Sequence, residues 1–340
     1  MGLITSRRPA DCDSQEVIFV SADAVRRHLG WRQVVERLRD AYSLPHTAQS
    51  APPRATARTP YGWLRTQSAS PAGCRFMGAK IFGIGPKRLV NYAIVLIEQD
   101  SGLLRAIVDG GAITAIRTAA TSAVAIDSLA PQERLCVSLL GSGEEARAHL
   151  RAVAAIRAIK RAAVFSPTES RRRAFADEMS LELGIDVVAV ASPEAAADCD
   201  ILIAAARARE EKPIVQANMV RPGMLTVSIG STLPEQREVD VSAVAACDLI
   251  VCDVVEEVLH ETGDMLAARD AGIDLSSRLV SLNALMSGEC AERVAGARQV
   301  MFKSVGSALQ DVVVAELAFD CAVADGSANA LPVSFYTKRP

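Results

Sequence analysis

Aromatic residues and histidines are scarce in this sequence, and the cysteines follow no metal-binding pattern. Phe, Trp and Tyr make up 4% of the 340 residues, and the four histidines stand at positions 28, 46, 149 and 260. No histidine forms an H-x-x-x-H pair or a Cys/His zinc spacing, so no metal site is predicted. The eight cysteines include no C-x-x-C pair and mostly have apolar neighbours, which favours free thiols in a reducing cytoplasm.

Strong net charge and long apolar runs are absent as well. The chain carries 37 Lys and Arg against 40 Asp and Glu, which gives no basic field for nucleic acid. Charge interrupts every apolar run before the length of a membrane-spanning helix, and the N-terminal MGLITSRRPADCD has no signal-peptide core. We therefore expect a cytoplasmic protein without nucleic-acid or membrane partners. MGLITS matches the spacing of a myristoylation signal, a pattern short enough to arise by chance.

Apolar residues make up 50% of the chain, enough for a large core and two domains. Residues 17–42 have a helical pattern with a polar face, and the Pro-rich TAQSAPPRATARTP predicts an irregular connection after it. From Cys74 onward, FMGAKIFGI, NYAIVLIEQ and LLRAIVD are short β-rich runs, and QDSG joins the last two as a hairpin loop. An antiparallel sheet is therefore predicted in this part of the chain.

From Arg134 the chain alternates between apolar strands and helical patterns. The strand candidates RLCVSLLG, RAAVFS, CDILIAAA, MLTVSIGS and DLIVCD are continuously apolar, as is typical of strands buried on both faces of a parallel sheet. The predicted fold is α/β, with a doubly wound parallel sheet over residues 127–306. A second, β-rich α+β domain combines residues 1–126 with 307–340, because the final helical pattern, which ends at Gly326, has no parallel strand left to serve.

A glycine-rich turn stands between the first of these strands and the following helix. VSLLGSGEEARAHL has the spacing of the dinucleotide-binding fingerprint, with alanine in the third glycine position. Gly141 permits the tight turn, Gly143 lets the backbone approach a pyrophosphate, and the helix N-terminus offers free N–H groups. The motif therefore predicts a Rossmann nucleotide site formed by Gly141, Ser142, Gly143, Glu144, Glu145 and Ala146.

The end of the second strand bears on which dinucleotide binds. An NAD site usually keeps an Asp or Glu there for the ribose hydroxyls, but VFSPTESRRR has no carboxylate at the strand tip. Ser166 and Thr168 stand there, with Arg171 and the two arginines after it just beyond, a group better suited to a 2′-phosphate. NADP(H) is therefore favoured and NAD(H) is the alternative, while a solvated helix face is the other explanation for the arginines.

An arginine interrupts the apolar stretch GAITAIRTAATSAVAI. In a helix, Arg117 shares a face with Ile113, Thr121 and Val124, so that face should be buried. A buried guanidinium requires an anion, because it stays protonated and its desolvation is costly. The partner is either an internal carboxylate, for which Asp109 is a candidate just before the helix, or a ligand.

Several stretches together resemble one family. They are PPRAT, MGAKIFG, AITAIRTAATSAVA, LLGSGEEA, VSIGSTLPEQREVD and FKSVGSALQDVVVAELA, in that order along the chain. From about residue 17 to 338, the sequence resembles the ornithine cyclodeaminase/mu-crystallin family of NAD(P)-dependent enzymes. The resemblance implies a Rossmann domain beside a β-rich domain for substrate binding and dimerisation, completed by the C-terminal helix, and hence a homodimer.

The resemblance also assigns expected site residues. The family's carboxylate-binding cations carry over to Arg54, Lys80 and Arg117, which would orient a substrate α-carbon toward the nicotinamide. In the apolar strand FMGAKIFGI, a depressed pKa would also let Lys80 exchange a proton. Positions that approach the nicotinamide in the family carry over to Ala205, Ala206, Val305 and Gly306.

Two positions depart from the family pattern. Members that cyclise ornithine carry an aspartate after the Gly-rich turn of a late Rossmann strand, where this chain has Thr232. A threonine cannot accept a proton from an ammonium at neutral pH, although Glu235 and Asp240 follow closely as candidate replacements. The second departure is Glu145, which stands where glutamine is usual, on the helix beside the glycine loop.

These features predict an NAD(P)H-dependent oxidoreductase acting on the C–N bond of a small carboxylate-bearing amino acid or its imine. Either a ketimine reductase, such as a pyrroline-2-carboxylate reductase, or an amino-acid dehydrogenase fits the expected residues. An ornithine cyclodeaminase that releases ammonia is the alternative, which Thr232 disfavours. The crystallin members suggest a second alternative, a non-catalytic protein that binds NADPH and a small ligand.

The other notable ionisable residues are interpreted mainly as structural. Asp253, Glu256 and Glu257 lie where a helix should begin, and we interpret them as favourable charges at its N-terminus. His149 falls on the Rossmann helix and is interpreted as a surface or packing residue. Asp311 opens the final helix and is expected to be either structural or close to the cofactor.

Overall fold

The computed structural model describes residues 16–130, 133–206, 212–333 and 335. Strands in these ranges form a first sheet of seven, in the spatial order β15 (Asn329–Leu331), β1 (Val17–Val20), β6 (Leu104–Asp109), β5 (Tyr92–Glu98), β4 (Phe76–Ile84), β3 (Gly62–Ala69) and β2 (Ala55–Thr59). From β2 to β6 neighbouring strands are antiparallel, as predicted, whereas β1 is parallel to β6. The myristoylation spacing and Cys12 lie outside the described residues, and the seven cysteines within them are free thiols.

Two predictions for the first part of the chain are wrong. The helical pattern predicted over residues 17–42 begins with a strand, β1, because those residues pair with β6 and β15; α1 (Ala22–His28) and α2 (Trp31–Ser43) follow it. The Pro-rich connection is also shorter than predicted, since its second half forms β2 against β3. Both strands are too short to carry a clear local pattern, so pairing with distant strands decided their structure.

The second sheet has eight strands among the described residues, all of them parallel. Their spatial order is β13 (Leu279–Ser281), β12 (Leu249–Cys252), β14 (Val300–Lys303), β11 (Leu225–Ser228), β10 (Ile201–Ala204), β7 (Arg134–Leu140), β8 (Ala158–Phe165) and β9 (Val187–Ala189). β10, β11 and β12 are buried along their whole length, which agrees with helices on both faces. The chain reverses its direction of growth between β7 and β10, so the predicted doubly wound sheet is confirmed, with its switch point there.

The remaining helices cover the sheets and join them. In chain order they are α3 (Gly110–Leu129), α4 (Glu144–Ile156), α5 (Glu169–Leu183), α6 (Val241–Ala245), α7 (Val255–Glu261), α8 (Gly263–Asp270), α9 (Leu282–Ser287), α10 (Ala291–Gly296) and α11 (Ala308–Ala324). One core lies under the α4 face of the parallel sheet and continues through α3 into the first sheet. A second, smaller core lies between the opposite face and α6 and α8. None of the helices in the described ranges combines the length and apolarity that a membrane span requires.

Two helices link the sheets and fix the position of the site. α3 begins at Asp109, whose carboxylate accepts the N–H groups of Gly111 and Ala112, and it packs against α2, α4 and α11. α11 ends at Ala324, two residues before the predicted end, and packs against α2, α3 and β4 of the first sheet, as expected. The proposed boundary at residue 126 falls within α3, and the exact domain limits stay a prediction.

Candidate active site

A cleft of about 330 Å³ lies where the first sheet faces the carboxyl ends of the parallel strands. Ligands of doubly wound folds bind at that end of the strands. One side, called here the Rossmann wall, consists of the loops after β10, β11 and β14 and includes Ala205, Ile229, Gly230, Thr232, Val305 and Gly306. The other side, called the β3–β4 wall, includes Trp63, Arg65, Gln67, Lys80, Phe82 and Ile84.

The β3–β4 wall follows from the register of two antiparallel strands. Alternate residues of a strand point to one face, and three alternate residues of β3 and three of β4 reach the cleft. Across the pair, Lys80 stands opposite Gln67, and Phe82 stands opposite Arg65. The α3 residues Thr114, Arg117 and Thr118 close the inner end.

Arg117 and Lys80 share one carboxylate at the inner end of the cleft. The Arg117 Nε lies 3.1 Å from the Asp311 Oδ1, and the Lys80 Nζ lies 2.8 Å from the Asp311 Oδ2. Arg117 also donates from Nη1 to the Gln310 side chain at 2.9 Å. The internal partner of Arg117 is therefore Asp311, and the suggestion of Asp109 is wrong, because Asp109 caps α3 instead. Two buried cations on one carboxylate leave a net positive charge facing the cleft.

Burial changes the proton affinity of Lys80. The lysine is 2% exposed, and this desolvation lowers its pKa to about 8, although Asp311 opposes the shift. The neighbouring Arg117 lowers the pKa of Lys80 further by charge repulsion. The predicted depression of the Lys80 pKa thus has a structural cause, and the residue titrates close to neutral pH.

The loop that carries Val305 and Gly306 is fixed by Asp253. The Asp253 carboxylate accepts the Val305 N–H at 3.0 Å and the Gly306 N–H at 2.8 Å, together with the Ser304 hydroxyl and the Gln310 amide. The interpretation of Asp253 as only a helix-terminus charge is therefore wrong. Gly306 has φ +81°, and a Cβ there would lie 2.6 Å from the Arg117 Nη1, so the loop can approach Arg117 only as glycine.

Arg54, in the segment before β2, also lines the cleft, but it forms ion pairs with carboxylates other than Asp311. Its side chain is 3% exposed and contacts Glu257 at 3.2 Å and Glu261 at 2.7 Å, both on α7. It also donates to the Thr232 carbonyl at 3.2 Å. The structure therefore brings Arg54 to the same cleft as Lys80 and Arg117, but with carboxylates of its own. Glu257 holds Arg54 in place and is not merely a charge at the start of a helix.

Thr232 lies on the Rossmann wall, in the loop after β11. Its N–H and its hydroxyl both donate to the Gln236 Oε1, at 2.9 and 3.3 Å. The two carboxylates considered as replacements lie elsewhere: Glu235 is exposed, and Asp240 caps α6 by accepting the Ser242 N–H. Neither lines the cleft, so neither takes the place of the missing acid.

The glycine loop has the geometry that a dinucleotide pyrophosphate requires. Gly141 has φ +121°, and a Cβ there would lie 2.6 Å from the Ala205 carbonyl oxygen and 3.2 Å from the Ala206 nitrogen. A Cβ on Gly143 would instead meet no atom within 4 Å, and no side chain caps α4 at this residue. The loop thus leaves open space beside unsatisfied N–H groups, and its residues fit a phosphate group. Of the other loop residues, Glu144 is exposed, Ala146 packs in the core and Glu145 lines the cleft.

The tip of β8 lies beside the same loop. The Ser142 hydroxyl donates to the Ser166 Oγ at 3.0 Å, and Thr168 precedes α5 as an exposed residue. Arg172 donates to the Ser166 carbonyl, and Arg173 pairs with Glu169. Arg171 is exposed, and its guanidinium bonds to none of the described residues.

His149 connects the two parts of the molecule. It is fully buried on α4, where one ring nitrogen lies 2.7 Å from the Glu145 carbonyl and the other 3.0 Å from the Ser122 Oγ on α3. Burial lowers its pKa to about 4, so the ring is neutral at pH 7. His149 is therefore a packing residue at the seam between α3 and α4, as expected, and not a surface residue.

A match to the ornithine cyclodeaminase/mu-crystallin family extends over residues 18–326. The chain belongs to this family. It is 29% identical over 262 residues to the Delta(1)-pyrroline-2-carboxylate reductase of Bacillus cereus, covering 75% of this chain and 80% of the relative. It is 30% identical to the ketimine reductase mu-crystallin of Rattus norvegicus over 228 residues, 67% of this chain and 68% of the relative.

Solved structures agree with this family assignment. The Delta(1)-pyrroline-2-carboxylate reductase of Thermococcus litoralis, solved in complex with NADH and L-proline, is 27% identical, with a TM-score of 0.82 and coverage of 93% of this chain and 100% of that one. A probable ornithine cyclodeaminase from Bordetella pertussis has the same TM-score at 26% identity and covers the same shares of the two chains. The predictions of this family, of a Rossmann fold with a second sheet, and of an enzyme related to imine reductases are confirmed.

Sequence reasoning missed several residues that shape the cleft. Arg65 and Gln67 stand on β3, a strand that was not predicted, although the alternation of its side chains was a usable signal. Glu261 and Gln310 bond to Arg54 and Arg117 from helices distant in sequence. No local pattern marks such partners, because their roles depend on which elements pack together.

Proposed function

We propose that the protein is an NAD(P)H-dependent reductase of carboxylated imines, acting on the C–N bond of an amino acid or its imine. One observation carries the proposal: Lys80 and Arg117 point into one cleft, share the single carboxylate of Asp311, and face the carboxyl ends of the Rossmann strands. A substrate carboxylate would balance the charge that Asp311 leaves over. The similarity to pyrroline-2-carboxylate and ketimine reductases supports the same reaction.

In this proposal the protein contributes binding and orientation. A nicotinamide cofactor, when bound, supplies the hydride for the imine carbon. Arg117 and Lys80 hold the substrate carboxylate and direct the α-carbon to the Rossmann wall, while Arg54, which Glu257 and Glu261 neutralise, lines the same cleft. The small residues Ala205, Ala206, Val305 and Gly306 leave that wall free for a flat ring. Protonated Lys80 supplies charge for binding and is the titratable group that would exchange a proton with the substrate.

Ornithine cyclodeamination is less well supported by the cleft. That reaction needs an acceptor for the proton of the substrate amine, and Thr232 cannot serve as one. Among the described residues that line the cleft, the carboxylate is that of Glu145, which stands on α4 beside the glycine loop and not at the position of Thr232. We therefore favour imine reduction over cyclodeamination. The assay described next also distinguishes both enzymes from a non-catalytic binding protein.

The assay for this function follows NADPH oxidation with pyrroline-2-carboxylate and with piperideine-2-carboxylate. We expect turnover that is lost in Arg117→Met, while NADPH still binds to that variant. Ammonia release from ornithine would instead support the cyclodeaminase. Tight NADPH binding without turnover of any imine would support the non-catalytic protein.

We also propose NADP(H) as the preferred cofactor. The tip of β8 presents the exposed Thr168 and the exposed guanidinium of Arg171, while Arg172 and Arg173 are engaged by the protein itself. The similar T. litoralis structure contains NADH, so the preference rests on these residues alone. In Arg171→Ala, the ratio of kcat/KM for NADPH to that for NADH should fall roughly tenfold. Arg173→Ala is the matched control, and an unchanged ratio in both variants would contradict the role of Arg171.

A homodimer is proposed with the outer face of the first sheet as its interface. Leu64 is 49% and Ile81 37% exposed on this face, opposite the cleft, and Val95 beside them is half-buried. Such an apolar face is typical of an association surface. Light scattering should give twice the chain mass for the wild type and a lower mass for Ile81→Glu.

A further inference from the structure

Arg65 occupies the β3–β4 wall without a carboxylate of its own. It is 6% exposed and lines the cleft, and its Nε donates to the Thr56 hydroxyl at 3.1 Å. Its guanidinium lies over the Trp63 ring at 5.1 Å. No carboxylate among the described residues forms an ion pair with it. Burying a guanidinium is costly without an anion, so we expect a bound ligand to supply the anion for Arg65.

The nearby carboxylates are already engaged. Glu257 and Glu261 contact the Arg54 side chain, and they act on Arg65 only through their longer-range charge. The Lys80 and Arg117 pair carries one positive charge more than the Asp311 carboxylate it shares, and Arg65 adds a second positive charge that no described carboxylate contacts. These two uncompensated positions favour a ligand with two negative charges.

The register of the wall sets the distance between the two anion positions. Arg65 and Gln67 are successive cleft-facing residues of β3, and Gln67 is paired with Lys80 on β4. Successive residues on one face of a strand are about 7 Å apart. An α-carboxylate at Lys80 and Arg117 would therefore place the end of a short side chain at Arg65. The length fits a dicarboxylate of four or five carbons with one charged hydrogen bond at each end.

Resting on the proposed function, we propose that the substrate is the imine of a short dicarboxylic 2-oxo acid, whose side-chain carboxylate binds Arg65. In the reaction the hydride of NAD(P)H adds to the iminium carbon, the C=N electron pair moves to nitrogen, and NAD(P)+ and an acidic amino acid are formed. Arg65 selects the substrate and does not touch the reacting atoms. Its guanidinium, stacked on Trp63 and bonded to Thr56, is already oriented for a carboxylate.

The test compares matched acids that differ by one carboxylate. NADPH oxidation is measured in ammonium buffer with oxaloacetate against pyruvate and with 2-oxoglutarate against 2-oxobutyrate, beside pyrroline-2-carboxylate. We expect the wild type to prefer at least one dicarboxylate tenfold or more in kcat/KM. Arg65→Met should lower that ratio roughly 10- to 100-fold, and Arg65→Lys should restore part of it. Arg88→Ala, which removes an exposed arginine from the same cleft, is the control and should keep the ratio.

The outcomes separate this inference from the proposed function. Reduction of pyrroline-2-carboxylate with no dicarboxylate preference would overturn the inference alone. An equal loss of kcat/KM for all substrates in Arg65→Met would mean that Arg65 has only a structural role and would overturn the inference. Loss of the dicarboxylate preference in Arg88→Ala would assign the second anion site to Arg88 and would also overturn it. If no imine is reduced, calorimetric titration with succinate and butyrate still tests the inference. The wild type should bind succinate at least tenfold more tightly than butyrate, and Arg65→Met should lose this difference. Equal affinities of the wild type for the two acids would overturn the inference.

Discussion

The Rossmann wall presents backbone and small side chains to the cleft, whereas the β3–β4 wall presents long polar and charged ones. On the Rossmann wall, Gly306 and its small neighbours leave open space beside the main chain. On the β3–β4 wall, Lys80 and Arg65 contribute positive charge to the cleft. The difference matches the two kinds of ligand expected: a large cofactor held by main-chain groups, and a small anion held by side chains.

The contrast predicts that removing a charge at the inner end of the cleft has the largest effect. Arg117→Met would leave Asp311 with Lys80 alone and take a bidentate donor from the substrate carboxylate. We expect kcat/KM for an imine carboxylate to fall about 10³-fold, or about 4 kcal/mol, with NADPH affinity changed little. Arg75→Met, which breaks an exposed pair with Asp320, is the control. A decrease in kcat/KM of less than tenfold in Arg117→Met would show that Arg117 does not bind the substrate carboxylate.

Adding one methyl group to the glycine loop beside the Rossmann wall should have two distinguishable effects. Gly143→Ala meets no atom within 4 Å and has an ordinary φ of −86°, so the fold should tolerate it while the cofactor dissociation constant rises roughly 10- to 100-fold. Gly141→Ala places a Cβ 2.6 Å from a backbone oxygen at φ +121°, and should cost about 1–3 kcal/mol of folding stability. Melting curves and fluorescence titration with NADPH measure both. Normal cofactor binding by Gly143→Ala would argue against a pyrophosphate at this loop.

A pH profile sharpens the role of the β3–β4 wall. Since the Lys80 pKa is lowered to about 8, the free enzyme loses this positive charge as pH rises through 8, and kcat/KM for a carboxylate substrate should fall there. In Lys80→Arg the guanidinium stays protonated, so the falling limb should move above pH 9 even if the maximum rate is lower. A limb at the same pH in both enzymes would assign the titration to another group.

The smallest effect at neutral pH is expected at the seam between the two regions. His149 is neutral because its pKa is lowered to about 4, so protons bind more readily to the unfolded chain between that pH and the ordinary histidine pKa. The free energy of unfolding should therefore decrease as pH falls through this window, by about 1.4 kcal/mol per unit. Denaturant unfolding of His149→Gln should show a shallower decrease than the wild type. Equal slopes would mean that His149 already takes up a proton in the folded state.

Local patterns were enough to predict the glycine loop and the buried parallel strands. The glycine loop lies between one strand and one helix, so its residues are close in sequence as well as in space. The continuous apolar runs likewise predicted buried parallel strands such as β10, β11 and β12. The charged side of the cleft was harder to predict, since Asp311, Glu257 and Arg65 come from elements far apart in the chain. The apolar neighbours of Arg117 in the sequence predicted that it needs an anion. They did not predict that this anion is Asp311.

The sequence by itself determined the doubly wound sheet, the glycine loop and the need for an anion at Arg117, because each depends on residues within one or two elements. Only the tertiary structure decided that Asp311 is shared by Lys80 and Arg117, that Asp253 fixes the Gly306 loop, and that Arg65 has no carboxylate partner. Those outcomes depend on how α11, α7 and the first sheet pack around the cleft. Charge balance is a sum over neighbours in space, and a linear pattern does not contain it.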